Sequence, residues 1–257
     1  MRKFLLSLII NIILFAPAFA DYVKTKDLSL SAADITELEI DCGAGYLMVE
    51  GVEGLENIEV EAEIVIEGMN RKKAQDFIDK HLRLDIREKR GHAVLRSHFD
   101  KSLSSFTLFG RKSSMVNLNV RIPVDMDLTI DDGSGDTRVE NINGEVTIDD
   151  GSGDLELELI KGHTDIDDGS GEIYIINLDG NLVIDDGSGE IHIKEVTGDV
   201  EIDDGSGDIS VRRIGGSVLV GDGSGDIRIR YVKQDVEIID DSSGDVSIAR
   251  VDGRVIR

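Results

Sequence analysis

The chain is short of cysteine and of aromatic residues. It contains one Cys, no Trp and four Tyr, and aromatic residues make up 4% of its sequence. A single cysteine, Cys42, cannot form a disulfide within the chain, so side-chain packing must provide the stability. We expect Cys42 to be a small buried residue rather than a reactive thiol. So few aromatic rings leave few platforms for sugars, which argues against an enzyme that acts on polysaccharides.

Long hydrophobic runs are absent after the first twenty residues. Arg2 and Lys3 precede an apolar run from Phe4 to Phe15, and Ala18-Phe19-Ala20 supplies the small residues of a cleavage site. This order predicts a signal peptide over residues 1–20, with an uncleaved anchor as the alternative. No later run approaches the roughly 20 residues of a membrane span, so we expect none in the mature chain. The prediction is export to the periplasm, the exterior or the cell surface.

Positive charge is scarce relative to negative charge. The net charge is −24, and the loss of Arg2 and Lys3 with a signal peptide makes it more negative still. Such a charge repels phosphates, which argues against nucleic acid and bare anionic membrane as partners. Divalent cations and basic partners remain compatible with it.

One motif returns at a fixed interval in the second half of the chain. The motif is Asp-Gly-Ser-Gly, and its six regular copies begin 18 residues apart at Asp132, Asp150, Asp168, Asp186, Asp204 and Asp222. A seventh, degenerate copy runs from Ile239 to Asp245 and is displaced by one residue, which predicts a bulge near the end of the array.

Apolar residues alternate with polar ones on both sides of each motif, which is the period of a β-strand. Val146 and Ile148 precede one motif, and Leu155 and Leu157 follow it. A hairpin meander also has short alternating strands, but a coil explains why the same residue returns every 18 positions. We therefore predict an all-β fold, a parallel β-solenoid (single-stranded β-helix) of 18-residue coils with two short strands each.

Glycines mark the corners of these predicted coils. A sharp corner needs positive φ, which Gly reaches without steric cost. A phosphate-binding loop is not indicated, because no Lys-Ser/Thr and no helix follow the glycines. The predicted structural turns are at Gly133, Gly135, Gly151, Gly153, Gly169, Gly171, Gly187, Gly189, Gly205, Gly207, Gly223 and Gly225.

Residues 21–123 are less regular and form a predicted lead-in to the repeat region 124–257. Residues 40–49 resemble a degenerate copy of the later unit, and residues 58–66 alternate as a strand with an acidic outer face. Asn70 is positioned to cap a helix over about residues 70–82. Strands over residues 84–86, 93–95 and 116–122 and a long loop over residues 97–114 complete this part. We expect it to cap the N-terminal end of the stack.

The chain resembles a family of bacterial candidate adhesins, which are exported proteins with Ser-Gly-Asp turns and no established function. The resemblance rests on the signal peptide, the Gly-Ala-Gly copy near Cys42, the helix-bearing insertion, the strand ending at Pro123 and the Gly-Ser-Gly-Asp/Glu coils. It covers most of the mature chain and implies a β-helical domain in the cell envelope or outside it. It supplies no catalytic or binding residues.

Calcium is the sharpest ligand hypothesis. The paired aspartates before each Gly-Ser-Gly are expected to form two carboxylate columns along one solvated edge, where a divalent cation would relieve their repulsion. The calcium β-roll pattern differs, because Asp here follows the second Gly directly. We assign no cofactor and no metal site, and the positions at which calcium would be tested are Asp132, Asp150, Asp168, Asp186 and Asp204.

An enzyme is not predicted. The carboxylates repeat in one environment, whereas acid–base catalysis needs two different environments, and no Gly-x-Ser-x-Gly motif stands at a strand–helix elbow. The five histidines show no metal-ligand spacing. They are His81, His92, His98, His163 and His192.

Outward positions of the last coils are basic, whereas earlier equivalents such as Glu156 and Glu158 are acidic. A charged face that prevents aggregation, docking to an anionic glycan, and head-to-tail contact between copies all fit this pattern. We predict an exported, non-enzymatic, adhesin-like binding or structural protein of the cell envelope, with a glycan or protein as its partner. The basic positions are Arg212, Arg213, Arg228, Arg230, Arg250, Arg254 and Arg257.

Overall fold

A computed structural model describes residues 21–100 and 113–257. The predicted signal peptide and most of the predicted loop over residues 97–114 lie outside the described residues. The elements are β1 (Tyr22–Ser31), β2 (Glu37–Ala44), β3 (Leu47–Val52), β4 (Asn57–Ile66), α1 (Arg71–His81), β5 (Leu82–Lys89), β6 (His92–Phe99), β7 (Ser114–Pro123), β8 (Asp127–Ser134), β9 (Thr137–Ile142), β10 (Val146–Asp150), β11 (Leu155–Lys161), β12 (Thr164–Asp168), β13 (Ile173–Asp179), β14 (Leu182–Asp186), β15 (Ile191–Val196), β16 (Val200–Asp204), β17 (Ile209–Ile214), β18 (Val218–Asp222), β19 (Ile227–Val232), β20 (Val236–Asp241), β21 (Val246–Val251) and β22 (Val255–Ile256).

The strands form two sheets, and each coil contributes one strand to each sheet. One sheet has the order β1-β4-β7-β3-β9-β11-β13-β15-β17-β19-β21, and the other has β22-β20-β18-β16-β14-β12-β10-β8-β2-β6-β5. Successive coils pair in parallel, so Ile148 lies opposite Ile166, and Ile166 opposite Ile184. This pairing confirms the predicted parallel β-solenoid with equivalent residues stacked at the 18-residue interval.

The core consists of aliphatic columns that run along the solenoid. In one of them, Ile130, Ile148, Ile166, Ile184 and Ile202 are each 1% exposed. A fully buried aliphatic side chain stabilises the fold by about 1.5–3 kcal/mol. A single coil buries too few of them to offset its chain entropy, so the coils are stable only as a stack.

The predicted degenerate copy in the lead-in is a full coil. β2 pairs in parallel with β8, which places Ile40 opposite Ile130, and β3 pairs in parallel with β9. Both sheets and the apolar core therefore run without a break from the lead-in into the repeat region.

The rest of the lead-in covers the N-terminal end of the stack. β4 pairs antiparallel with β1 and β7, and β5 pairs antiparallel with β6. Helix α1 begins after Asn70, whose side chain accepts a hydrogen bond from the Lys73 backbone N–H at 3.0 Å, and it buries Ala74 and Ile78. The predicted helix and its N-cap residue, Asn70, are confirmed. The predicted loop began too early, because residues 97–99 still belong to β6, where they pair with β5.

The predicted bulge in the last copy is confirmed. The pairing of β18 with β20 shifts after Val220, so that Gly221 lies opposite Asp240 and Ile239 is the extra residue. Ile239 is 63% exposed as a result.

Each strand after an Asp-Gly-Ser-Gly corner contains a bend that the sequence did not indicate. The residue at the bend has a φ between +59° and +64° and is skipped in the pairing between coils. Left-handed backbone is costly for residues other than Gly, Asn and Asp. We call these residues the left-handed column: Asn141, Leu159, Asn177, Glu195, Arg213, Tyr231 and Arg250.

From Gly151 onward, the two glycines of each regular corner are required for different reasons. The second one has positive φ, as at Gly171 with +153°, and a Cβ there would lie 1.7 Å from the carbonyl oxygen of Gly153. The first one does not have the positive φ that we expected. At Gly169 the constraint is close packing alone, because a Cβ would lie 2.6 Å from the carbonyl oxygen of Gly151.

Leu159 is the exposed aliphatic member of the left-handed column, at φ +59° and 49% exposure. We expect Leu159→Asn to stabilise the protein by about 1 kcal/mol, because Asn tolerates left-handed backbone. The reciprocal change Asn177→Leu should destabilise it by a similar amount. Urea unfolding measures both variants, and the same sign for the two would contradict the left-handed bend.

Gly171→Ala should destabilise the protein by about 3 kcal/mol or more, because the new methyl group overlaps the backbone of the previous coil. Ser170→Ala in the same corner is the matched control, and we expect its effect to stay within about 0.5 kcal/mol. Thermal unfolding followed by circular dichroism measures both. Equal effects would show that the coils do not approach each other this closely at the corner.

Candidate functional site

The paired aspartates before each corner point in opposite directions. Asp149, Asp167, Asp185 and Asp203 are exposed, whereas Asp150 and its equivalents in the other coils are 1–2% exposed. The expectation that both columns lie on a solvated edge is therefore wrong for the second aspartate. We call the buried set the interior aspartate column: Asp132, Asp150, Asp168, Asp186, Asp204 and Asp222.

Strand alternation explains why the second aspartate is buried. Neighbouring residues of a strand face opposite sides of the sheet, so Asp168 lies on the same side as Thr164 and Ile166, which are both buried. The alternation of inward and outward residues was visible in the sequence, but the polarity of Asp favoured a surface position. The even spacing between this Asp and the inward apolar residues of its strand is the signal that indicates the interior column.

One oxygen of each interior carboxyl closes its own corner. The Oδ1 atom accepts a hydrogen bond from the backbone N–H of the Ser two residues later, at 2.8–3.2 Å in the six coils. The Oδ2 atom of Asp132 accepts a hydrogen bond from the Thr137 hydroxyl at 3.1 Å. The Oδ2 atoms of Asp150, Asp168, Asp186 and Asp204 are buried without a hydrogen-bond donor.

Burial in the core raises the pKa of these carboxyls, because it disfavours the charged form. Burial, together with the neighbouring Asp132 and Asp168, raises the pKa of Asp150 to about 7. Burial and Asp186 raise the pKa of Asp168 to about 6, and burial again raises that of Asp204 to about 7. The pKa of Asp186 is raised for the same main reason.

Cys42 lies at the N-terminal end of the interior aspartate column. It pairs with Asp132 in the register of β2 and β8, and it is 8% exposed, so its predicted burial is confirmed. Burial and the neighbouring Asp132 raise the pKa of the Cys42 thiol, which keeps it protonated. The next residue in the register is Ser97 of β6, which is also buried.

A further acidic column follows the second glycine of each corner and is tied to the backbone. The Asp154 carboxylate accepts a hydrogen bond from the backbone N–H of Glu172 at 3.0 Å, and Asp208 accepts one from Asp226 at 3.0 Å. Each of these carboxylates therefore links its own coil to the next. These hydrogen bonds between coils are a structural reason for the repeat of acidic residues at this position.

In the described parts of the chain, no group of three or more His, Cys, Asp or Glu side chains is arranged so that it could hold a metal ion. Two of the histidines contact different partners in different parts of the chain. His98 contacts Asp41 at 3.5 Å, and His192 stacks on Tyr174 with ring centroids 4.8 Å apart.

The outer face of the sheet that contains β17, β19 and β21 changes sign along the solenoid. One column of paired residues runs Glu140, Glu158, Ile176, Lys194, Arg212 and Arg230 from coil to coil. At its acidic end, Arg138 forms ion pairs with Glu140, Glu156 and Glu158. At its other end we define the basic strip as Arg212, Arg213, Arg228, Arg230, Tyr231 and Arg250.

Among the described residues, three arginines of the basic strip have no acidic partner: Arg212 and Arg230, together with Arg250, which contacts Tyr231 instead. Arg213 pairs with Glu195 at 2.7 Å, and Arg228 pairs with Asp226 at 2.6 Å. Within the described residues, no carboxylate lies within 4.0 Å of Arg212 or Arg230. These two arginines pair in register on adjacent strands, so their Cα atoms lie about 4.8 Å apart.

Tyr231 completes the basic strip, although no pattern in the sequence pointed to it. The guanidinium groups of Arg212 and Arg250 lie 5.6 and 4.7 Å from its ring centroid. A shallow cavity of about 260 Å³ opens between Ser210, Arg212, Arg228, Arg230 and Tyr231. A larger, mainly apolar groove of about 890 Å³ runs beside the left-handed column and shares Tyr231 with the strip.

Two of the predicted basic positions lie outside the basic strip. Arg254 follows β21 and forms an ion pair with Asp235. Arg257 donates a hydrogen bond from its guanidinium to the backbone carbonyl of Val246 at 3.3 Å.

Among the described residues, no helix has the length and apolar character needed to cross a membrane.

No curated protein sequence matches the chain. Solved structures show the fold: a candidate lipid-binding protein from Parabacteroides distasonis is 16% identical, with a TM-score of 0.53 over 90% of this chain and 96% of that one. A candidate adhesin from Bacteroides fragilis is 14% identical, with a TM-score of 0.50 over 91% and 96%.

The matched family extends over nearly all of the solenoid and its cap. Its coverage confirms the resemblance that the Gly-Ser-Gly coils and the helix-bearing insertion suggested. Since residues 35–254 match the model of the family described as Toastrack DUF4097, the chain belongs to that family.

Proposed function

We propose that this protein is an exported, non-enzymatic, adhesin-like binding protein of the cell envelope that holds an anionic glycan on its basic strip. The observation that carries the proposal is the pair of stacked arginines, Arg212 and Arg230, which have no acidic partner among the described residues. Their isolation is unusual in a protein with a net charge of −24.

The charges of the strip favour an anion that bridges two coils. The Cα atoms of Arg212 and Arg230 lie one strand spacing apart, so their like charges repel each other, although solvent screens the two exposed side chains. A carboxylate or sulfate between Arg212 and Arg230 would relieve that repulsion, and guanidinium groups bind such anions through two parallel hydrogen bonds. Arg228 lines the same cavity but is already paired with Asp226 and Asp208.

The aromatic residue of the strip favours a sugar over a small inorganic anion. Tyr231 is 37% exposed, and its ring is amphipathic, with an apolar face and a polar edge. Ser210 adds a hydroxyl to the same cavity. A chain of sugars that carries a carboxylate or sulfate on successive units matches this combination of ring and guanidinium groups.

Several observations support a binding role without catalysis. The interior carboxyls repeat in one environment, so they do not provide an acid and a base with different tasks. The named structural neighbours include a candidate adhesin. Export rests on the predicted signal peptide, and a role in the envelope is supported by the candidate adhesin from Bacteroides fragilis.

A second interaction is favoured by the change of sign along the same face. The acidic residues Glu140, Glu156 and Glu158 lie on the strands that precede the basic strip, with Arg138 as their cation. Two copies displaced along the solenoid axis could therefore place the acidic part of one against the strip of the other. We treat this self-association as the competing use of the strip.

The test of the glycan proposal compares Arg212→Gln/Arg230→Gln with the control Lys72→Gln/Lys73→Gln, which removes the same charge from exposed positions of α1. We expect the mature chain to bind polygalacturonate but not neutral dextran in calorimetry. The strip variant should lose about tenfold or more in affinity, because it loses two charge-assisted contacts. The control should retain nearly full affinity.

Two outcomes would contradict the glycan proposal. One is an equal loss of affinity in both variants, which would indicate a general charge effect. The other is the absence of binding together with salt-sensitive self-association in sedimentation velocity that the strip variant abolishes. That second result would assign the strip to contact between copies.

A further inference from the structure

We propose that the interior aspartate column is a proton-binding ladder, in which carboxyl groups of successive coils hold protons in the core and make the stack more stable in mild acid than in mild alkali. Six aspartates stand one coil apart in this column, and each is 1–2% exposed. The strand pairing places each of them directly over the next, as with Asp168 and Asp186.

No cation is among the main influences on the pKa values of Asp132, Asp150, Asp168, Asp186 and Asp204. On the column's own strands, the adjacent charged groups are all acidic, namely Asp131, Asp149, Asp167, Asp185 and Asp203. Across the corner, Asp154 acts on Asp168, and Cys42 contacts Asp132 from the neighbouring coil. The titratable groups that act most strongly on these five aspartates are therefore all acidic.

The hydroxyl that serves Asp132 has no counterpart in the later coils. Thr137 occupies the first position of β9, and the residues paired with it in β11, β13 and β15 are Leu155, Ile173 and Ile191. The Oδ2 atoms of Asp150, Asp168, Asp186 and Asp204 therefore have no donor, although they are fully buried. A buried carboxylate oxygen without a donor is costly.

A proton supplies what is missing. When a carboxylate takes a proton from solvent, the group becomes neutral and its Oδ2 atom gains an O–H. The carboxyl of the adjacent coil, whose strand lies about 4.8 Å away along the stack, is the group of the column toward which that O–H can turn. Protonation thus removes charge repulsion and adds a hydrogen-bond donor at the same position, while Oδ1 continues to accept from the Ser backbone.

The direction of the pH dependence follows from the raised pKa values. Asp in an unfolded chain has a pKa of about 3.9, whereas the folded pKa is about 7 for Asp150 and Asp204 and about 6 for Asp168. Between these limits the folded protein binds more protons than the unfolded chain. The stabilisation is present below the unfolded pKa and is lost as the pH rises through the folded pKa.

The experiment uses Asp168→Asn/Asp186→Asn in the mature chain, with Asp167→Asn/Asp185→Asn as the matched control on the exposed side of the same strands. We expect the melting temperature of the unaltered protein to be several degrees lower at about pH 8 than at about pH 5. The interior variant should melt higher than the unaltered protein at about pH 8 and should show a smaller difference between the two pH values. The control should keep most of the original difference, because burial, the first cause of the raised pKa values of Asp168 and Asp186, is unchanged in it.

A second measurement does not depend on how the variants fold. Infrared spectra of the unaltered protein at about pH 6 should contain the C=O band of protonated carboxyl groups, and this band should fall as the pH rises toward about 8. Absence of the band, or a melting temperature that does not fall between the two pH values, would overturn the proposal. A melting temperature that rises with calcium but not with magnesium, and no longer changes with pH once calcium is present, would also overturn it, in favour of an ion in the column.

Discussion

The in-register stacking of parallel coils is the constraint on which the rest of the structure depends. Each side chain lies on its own equivalent in the coils before and after it, because the strands pair without a shift from β8 to β18. A property of one residue is therefore repeated at about 4.8 Å along the whole stack. Aliphatic residues become continuous core columns, and a single buried carboxyl becomes a ladder of carboxyls.

The same stacking limits the backbone. The corners of adjacent coils approach so closely that a Cβ at Gly189 would lie 1.6 Å from the carbonyl oxygen of Gly171. The left-handed column shows the opposite tolerance, since Leu, Glu, Arg and Tyr occupy its strained positions. Close contact between adjacent coils thus requires glycine at the corners, whereas the residue type at the left-handed bend varies from coil to coil.

The sequence predicted the solenoid well because two independent periods, 2 and 18, agreed over many coils. It also indicated the N-cap at Asn70 and the bulge near Ile239, which depend on local chemistry. It did not predict the burial of Asp150, because strand alternation placed this residue inside the solenoid whereas its polarity favoured the surface. In the structure, the Ser152 backbone N–H donates a hydrogen bond to the buried carboxyl. The left-handed bend had no signal, since residues as different as Asn141 and Tyr231 adopt it. The cavity beside Arg212 depends on side chains from neighbouring coils, which spacing along the chain does not reveal.

The N-terminal cap and the basic strip are separated only by repeated coils, and each of those coils bonds to its two neighbours alone. Insertion or deletion of one 18-residue unit would leave both ends intact and change the distance between them by one strand spacing. The number of repeats therefore sets the distance between the N-terminal cap and the basic strip. Duplication of a short stretch of coding sequence is enough to increase that distance.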